Sequence, residues 1–183
     1  MTREKLYEIA DKCDKIYLDC DGVLTASNEA MCILLNKKYN NSHKGCEVLD
    51  WNYTNLYPTC ADEIEALFET TEMFKHLKLI KGAKNFLTKY RKKIIIVTKG
   101  GVNNYIYKRQ LFDNEGFVDI PIIRLPLDVS KSVINMNSGL FIDDCTCNLN
   151  ESNATYKFMF MEYNDGNERE WQLGWNGERI YEW

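Results

Sequence analysis

The chain has 183 residues, 45% hydrophobic and 27% charged, so it is long enough to bury an ordinary core as one α/β domain. Its formal net charge of −4 excludes the basic surface that binding to a nucleic acid duplex requires. No apolar stretch is long enough to span a membrane, so we expect no membrane association.

The seven cysteines are irregularly spaced along the chain. Cys145 and Cys147 form a close pair, but no second pair stands at the spacing of a structural zinc site. The sequence also begins without a basic-then-apolar leader. We therefore expect free thiols and a cytoplasmic location.

The first predicted elements are an amphipathic helix over residues 2–14 and a short apolar strand that ends at Asp19. Because side chains alternate along a strand, Asp19 and Asp21 point to the same side, and Gly22 allows a sharp turn after them. Two adjacent carboxylates repel each other unless a cation lies between them, and Mg²⁺ is the usual one.

An Asp-x-Asp-Gly string is by itself just as typical of a solvated turn. It does not begin a calcium-binding EF-hand loop, because Ala30 stands where that loop needs a bidentate glutamate. The residues at the other strand ends must therefore distinguish a solvated turn from a cation site.

Residues 26–80 contain no convincing strand. Their pattern predicts helices over 28–39 and 62–69, with an irregular aromatic stretch over 48–58 between them. We interpret the segment as a small helical cap, inserted after the first strand into a core formed by residues 1–25 and 81–183.

Four later apolar runs predict buried strands, at residues 93–97, 120–123, 139–142 and 156–161. Helical patterns over 83–90 and 105–114 lie between them. This alternation predicts a doubly wound parallel sheet of the Rossmann-like α/β class, with the active site at the carboxyl ends of the strands. The aromatic stretch 171–183 is expected to dock on the core or to cover a sheet edge.

The ends of these strands carry residues suited to phosphoryl transfer. Thr98 and Lys99 end one run, where a hydroxyl and the following backbone N–H groups suit a phosphate, although a helix cap would use the same residues. Asp143 and Asp144 end another run, and buried acids are costly without a cation. Lys131 lies twelve residues before Asp143, and this order of groups predicts one shared site.

At these residues the chain resembles the haloacid dehalogenase (HAD) superfamily of phosphotransferases. The four motifs of that superfamily match, in order, Asp19-Cys20-Asp21-Gly22-Val23, Thr98, Lys131 and Asp143-Asp144. Residues 47–53, 63–68 and 73–83 are similar to the cap of the 5'(3')-deoxyribonucleotidase family and its bacterial and phage relatives. Lys99 departs from that family, whose mammalian members carry a phosphate-binding serine there.

The resemblance implies a HAD-like fold and Mg²⁺-dependent phosphomonoester hydrolysis through an aspartyl-phosphate. Asp19 would be the nucleophile and Asp21 the general acid and base. The phosphate would be bound by Thr98, the backbone amides that follow it, Lys99 and Lys131. The implied metal ligands are Asp19, Asp21 through its backbone carbonyl, Asp143 and Asp144.

Four aromatic residues are candidates for the substrate pocket: Trp51, Tyr53, Phe68 and Phe74. They suit stacking on a base, but equally suit the packing of the cap itself or a homodimer contact. The expected substrate is a small phosphorylated molecule, most simply a (deoxy)nucleoside monophosphate. The rival hypotheses are a phosphatase of sugar phosphates or phosphoglycolate, and a catalytically silent module that binds a nucleotide or a protein.

Overall fold

The computed structural model describes residues 1–183 and contains one six-stranded, fully parallel sheet. Its strands are β1 (Ile16–Leu18), β2 (Ile94–Lys99), β3 (Ile122–Leu125), β4 (Leu140–Asp143), β5 (Tyr156–Phe160) and β6 (Arg179–Ile180). Their order is β3-β2-β1-β4-β5-β6, so the predicted doubly wound α/β sheet is confirmed. The order reverses between β1 and β4, which is where such sheets bind ligands.

Seven α-helices surround the sheet and fill the segment after β1. They are α1 (Arg3–Lys12), α2 (Ser27–Tyr39), α3 (Ile64–Leu67), α4 (Thr71–His76), α5 (Ala83–Tyr90), α6 (Val102–Asn114) and α7 (Thr146–Glu151). Short 3-10 turns form at Gly45–Glu47, Ala61–Glu63, Lys131–Val133 and Glu170–Gln172. None of the helices has both the length and the apolar character that crossing a bilayer requires.

The two faces of the sheet are buried in separate cores because side chains alternate along each strand. Ile16 and Leu18 of β1 join the core that includes Phe86 of α5. Tyr17 joins the core on the other face, together with Leu149 of α7. Coverage of both faces explains why the strands of the sheet interior are continuous apolar runs.

Residues 26–80 add no strand to the sheet and pack around a buried cluster of their own, which includes Met31, Tyr57 and Met73. The helix predicted over 62–69 is instead a 3-10 turn followed by α3, and α4 was not predicted. The division of the chain into a core and a cap at residues 26–80 stays a prediction about domains.

β3 and β6 differ most from the sequence prediction. β3 begins at Ile122 rather than at residue 120, because Pro121 has no N–H group for the ladder and contributes only its carbonyl, which accepts from the Ile96 amide at 2.9 Å. β6 was not predicted, because two residues are too few to show a periodic pattern.

The turn after β1 depends on Gly22. Its φ of +69° lies in the left-handed region, and its amide donates to the Thr25 carbonyl at 2.9 Å. A Cβ atom at this position would lie 2.5 Å from Oδ2 of Asp144. Glycine therefore allows both the turn and the close approach of the acid that follows β4.

The C-terminal residue Trp183 is buried beside this turn. Its ring stacks on Phe160 at a centroid distance of 5.0 Å and meets Phe86 at 4.6 Å. Its Nε1 donates to the Val23 carbonyl at 2.9 Å. The predicted docking of the aromatic C-terminal stretch on the core is thus observed.

Replacing Trp183 with alanine should lower the free energy of unfolding by about 3–5 kcal/mol, because it opens a cavity between α5 and β5. The measurement is urea denaturation. Tyr181→Ala, at a 41% exposed position in the same stretch, is the matched control and should cost less than about 1 kcal/mol. Equal losses in the two variants would contradict a structural role specific to Trp183.

Gly22→Ala should displace the Asp144 carboxylate as well as strain the turn. Gly166 also has a positive φ, +80°, but a Cβ there would meet nothing within 4 Å, so Gly166→Ala isolates the strain. We expect Gly22→Ala to cost about 1 kcal/mol more, the worth of one buried hydrogen bond, in the same denaturation measurement. Identical costs would mean that Asp144 does not depend on this glycine.

Candidate active site

The carboxyl ends of β1 and β4 bring three acids together. Asp19 follows β1, Asp143 ends β4 and Asp144 follows it, all of them buried. One carboxylate oxygen from each lies within 4.8 Å of the others. The amide of Asp19 donates to the Ile142 carbonyl at 2.9 Å, which fixes the two strand ends side by side.

A buried lysine lies between two of these acids. The Nζ atom of Lys131 donates to Oδ1 of Asp19 at 2.6 Å and to Oδ2 of Asp143 at 2.7 Å. Burial alone would lower the pKa of Lys131, but the charges of Asp143 and Asp19 outweigh it and raise the pKa. Lys131 is therefore charged, and it compensates part of the negative charge of the cluster.

Asp143 and Asp144 are held by different donors. Asp143 accepts hydrogen bonds from the Cys145 amide at 2.8 Å and from the Asn148 side chain at 3.1 and 3.2 Å. Asp144 accepts one from Nε1 of Trp171 at 2.8 Å. Burial raises the pKa of both carboxyl groups above their ordinary value, that of Asp144 strongly.

Asp21 lies beside this cluster and is paired with a lysine that the sequence analysis missed. Lys108 of α6 is completely buried, and its ammonium group donates to Oδ2 of Asp21 and, at 2.7 Å, to the hydroxyl of Thr98. Burial raises the pKa of Asp21, and the charge of Lys108 partly offsets that effect. The Oδ1 atom of Asp21 has no hydrogen-bond partner.

The spacing of residues in α6 is the sequence signal that could have predicted an inward-facing Lys108. Asn104, Lys108 and Phe112 are the buried residues of this helix, four positions apart. Residues at this spacing share one helix face, so Phe112 marks the face on which Lys108 turns inward.

The end of β2 differs from the prediction that Thr98, Lys99 and the amides after them bind phosphate. Lys99 lines the cleft described below, whereas Thr98 is buried against Lys108 and is not among the lining residues. The amides that follow were expected to bind phosphate, but Glu69 already accepts from Gly101, and also from Asn103 and Asn104. That expectation is wrong for these amides, because a carboxylate from the segment after β1 occupies the positive end of α6.

A cleft of about 770 Å³ opens above the acids. Trp51, Tyr53 and Phe68 line it, as predicted for a pocket, and Trp51 is 53% exposed. Phe74 does not line the cleft, so its assignment to the pocket is corrected. Its ring packs on Tyr107 of α6 at 5.0 Å, because α4 rests on that helix.

Residues 165–173, here named the C-terminal strap, tie the segment after β1 to the acids. Within the strap, a buried Arg169 donates to the Cys46 carbonyl at 2.8 Å, and the Glu170 amide donates to the Leu49 carbonyl at 2.8 Å. Trp171, whose indole holds Asp144, meets Trp51 edge-on at 5.6 Å. The sequence carries no local signal that places the strap at the site, because the residues that it contacts are distant in the chain.

The charge balance of the cluster fits a divalent cation. Four carboxylates, those of Asp19, Asp21, Asp143 and Asp144, face only the two ammonium groups of Lys108 and Lys131. When all are ionised, two negative charges remain uncompensated in buried surroundings, which is costly. Oxygen donors alone at this position match the preference of a hard ion such as Mg²⁺.

Comparison with known proteins agrees with this geometry. Residues 4–175 match the family model described as 5' nucleotidase, deoxy (pyrimidine), cytosolic type C protein. A search of curated proteins found no match.

Solved structures share the fold at low sequence identity. A haloacid dehalogenase-like hydrolase from Streptococcus pneumoniae is 12% identical with a TM-score of 0.59, covering 93% of this chain and 94% of its own. A HAD family hydrolase from Deinococcus radiodurans, solved with phosphate and sodium, is 12% identical with a TM-score of 0.58, covering 82% and 81%. A candidate phosphoglycolate phosphatase from Lactobacillus plantarum is 13% identical with a TM-score of 0.56, covering 93% and 96%.

The family match spans nearly the whole chain, and the sheet, its order and the acids at the strand ends agree with it. The chain therefore belongs to the family of 5' nucleotidase, deoxy (pyrimidine), cytosolic type C proteins, and it is a phosphatase with the haloacid dehalogenase-like fold.

Proposed function

We propose that this protein is a Mg²⁺-dependent phosphomonoester hydrolase that acts on (deoxy)nucleoside monophosphates through an aspartyl-phosphate on Asp19. The observation that carries the proposal is the convergence of Asp19, Asp143 and Asp144 beside Lys131, at the floor of a cleft. Seven cysteines without a disulfide suit the reducing cytoplasm, where we expect the enzyme to work.

Asp19 is the proposed nucleophile. Lys131 holds its Oδ1 atom, and its Oδ2 atom, which has no hydrogen-bond partner, is the oxygen that would attack phosphorus. The new bond from Oδ2 to phosphorus replaces the bond to the leaving alkoxide, in line with it. A water molecule then attacks phosphorus, the bond to Asp19 breaks, and inorganic phosphate is released.

Asp21 is the proposed general acid and base. It would give a proton to the leaving alkoxide and take one from the attacking water. Lys108 holds its Oδ2 atom and thereby fixes the orientation of the carboxyl group. Lys108 is thus proposed as a positioning residue, since it acts through Asp21.

The proposed metal ligands are Asp19, the backbone carbonyl of Asp21, Asp143 and Asp144. Bound Mg²⁺ would screen the phosphate charge and favour in-line attack. Lys131 and Lys99 would bind phosphate oxygens, since one lies between the acids and the other lines the cleft. Thr98 would act through Lys108, because its hydroxyl accepts a hydrogen bond from the Lys108 ammonium group.

The size and lining of the cleft support a nucleotide substrate. A cleft of about 770 Å³ is in the range of sites for drug-sized ligands and is larger than glycolate phosphate needs. Trp51 and Phe68 offer aromatic surface for a base, whereas Tyr53 is 3% exposed and its hydroxyl donates to Asn28 at 2.7 Å. Tyr53 is therefore proposed to shape the wall of the cleft.

The test of the proposed function is phosphate release from a panel of deoxy- and ribonucleoside 5'- and 3'-monophosphates, hexose phosphates and phosphoglycolate, with Mg²⁺ and with a chelator. We expect nucleoside monophosphates to have at least about tenfold higher kcat/KM, and turnover to stop with the chelator. Preference for hexose or glycolate phosphates would reject the nucleotide assignment, and release from no substrate would favour a silent module.

Asp19→Asn should lower kcat by about 10³-fold or more while leaving the unfolding transition in place, because it removes the attacking oxygen charge. Asp14→Asn, at an exposed aspartate before β1, is the matched control and should keep full activity. Undiminished hydrolysis by Asp19→Asn would show that the nucleophile is another group.

Asp21→Asn and Lys108→Met should lower kcat/KM for nucleotides much more than for p-nitrophenyl phosphate, because kcat/KM reports the phosphorylation step and the p-nitrophenolate leaves without protonation. We expect losses of about 10²- to 10⁴-fold for Asp21→Asn and 10- to 100-fold for Lys108→Met with nucleotides. Lys84→Met, at a lysine that is 60% exposed on α5, is the control. Equal losses of kcat/KM with both substrates would reject the proposed general-acid role and indicate a general structural defect.

A further inference from the structure

Two thiols stand at the rim of the cleft, directly after the acid pair. The Sγ atoms of Cys145 and Cys147 are 3.0 Å apart, and both residues line the cleft. Cys147 is exposed and Cys145 is partly exposed, so both are open to small molecules. The proposed hydrolysis uses neither thiol.

This pair differs from the other cysteines of the chain. Four of the remaining five are buried, and no other two thiols contact each other. A disulfide has a sulfur–sulfur length of about 2.05 Å, so the two Sγ atoms need to approach by about 1 Å. Cys145 precedes α7 and Cys147 lies in its first turn. Because Cys147 is the more exposed of the two, we expect its thiol to react first.

We propose that Cys145 and Cys147 form a modification site, a reversible disulfide made by exchange with a low-molecular-weight disulfide such as oxidised glutathione. The Cys147 thiol attacks one sulfur of the reagent, loses its proton to solvent and forms a mixed disulfide, releasing one reduced thiol. The Cys145 thiol then attacks the Cys147 sulfur, which releases the second reduced thiol. Two protein thiols are oxidised and one small disulfide is reduced, so electrons and protons balance.

The bond would act on the acid cluster through Asp143. The Cys145 amide donates to Asp143 at 2.8 Å, and Asn148, which follows Cys147, donates to the same carboxylate. Drawing the two sulfur atoms together turns the backbone of Cys145 and the first turn of α7, and both donors move with it. The effect on turnover rests on the proposed function, whereas formation of the bond does not.

The first experiment measures the bond itself. The full chain is incubated with oxidised glutathione, its remaining thiols are alkylated under denaturing conditions, and intact mass and peptide mapping locate the linkage. We expect two fewer alkylated thiols and an internal link within residues 145–147. Cys147→Ser should remove the link, and Cys46→Ser, a partly exposed cysteine of the segment after β1, should keep it. A stable mixed disulfide on Cys147, a link to Cys46 or no change in mass would overturn the proposal.

The second experiment compares the turnover of each protein in its oxidised and reduced forms. We expect oxidation to lower kcat of the unmodified chain at least about tenfold, with recovery after dithiothreitol, and to leave the Cys145→Ser/Cys147→Ser protein at its own reduced rate. If the protein with the Cys145–Cys147 disulfide has the same kcat as the reduced protein, the proposed effect on Asp143 is overturned. Inactivity of the reduced chain would instead reject the proposed function, and the mass measurement would still decide the modification site.

Discussion

One ammonium group shared by two buried carboxylates holds this site together. Like charges at the ends of β1 and β4 repel each other strongly in surroundings that exclude water, and Lys131 lies between Asp19 and Asp143 at hydrogen-bond distance from both. The short turn that carries Lys131 must therefore stay beside β4. The third acid, Asp144, follows Asp143 and lies against Gly22. The arrangement still carries excess negative charge, which makes it suited to a divalent cation.

The wall of the cleft is built from parts of the chain that are far apart. The segment after β1 supplies Trp51 and Phe68, and the C-terminal strap supplies the indole that holds Asp144. Arg169 fixes the strap to the segment after β1 through a hydrogen bond to the Cys46 carbonyl. Glu69 adds a second link, since it caps the helix that carries Lys108.

Much of the sheet could be predicted from the sequence because its signals are local. Five of the six strands contain a short apolar run, and the acids and the hydroxyl lie at or directly after the carboxyl ends of three of them. The observed start of β3 differs from the predicted one because Pro121 cannot donate to the ladder. β6 has two residues, which is too short for a periodic pattern in the sequence. Lys108 was missed for a different reason. A lysine in a helix is normally solvated, and only its spacing from Phe112 marked it as inward-facing.

The sequence by itself determined which side chains stand at the strand ends, the parallel sheet and the order of Asp19, Thr98, Lys131 and Asp143, because alternation and apolar runs are properties of neighbouring residues. Only the tertiary structure decided that Lys108 pairs with Asp21, 87 positions away, and that Phe74 packs on α6 instead of facing the cleft. It also decided that Glu69 takes the amides expected for phosphate, and that Trp171 holds Asp144. These pairings depend on how separate elements pack, and no local period encodes the distance between two elements.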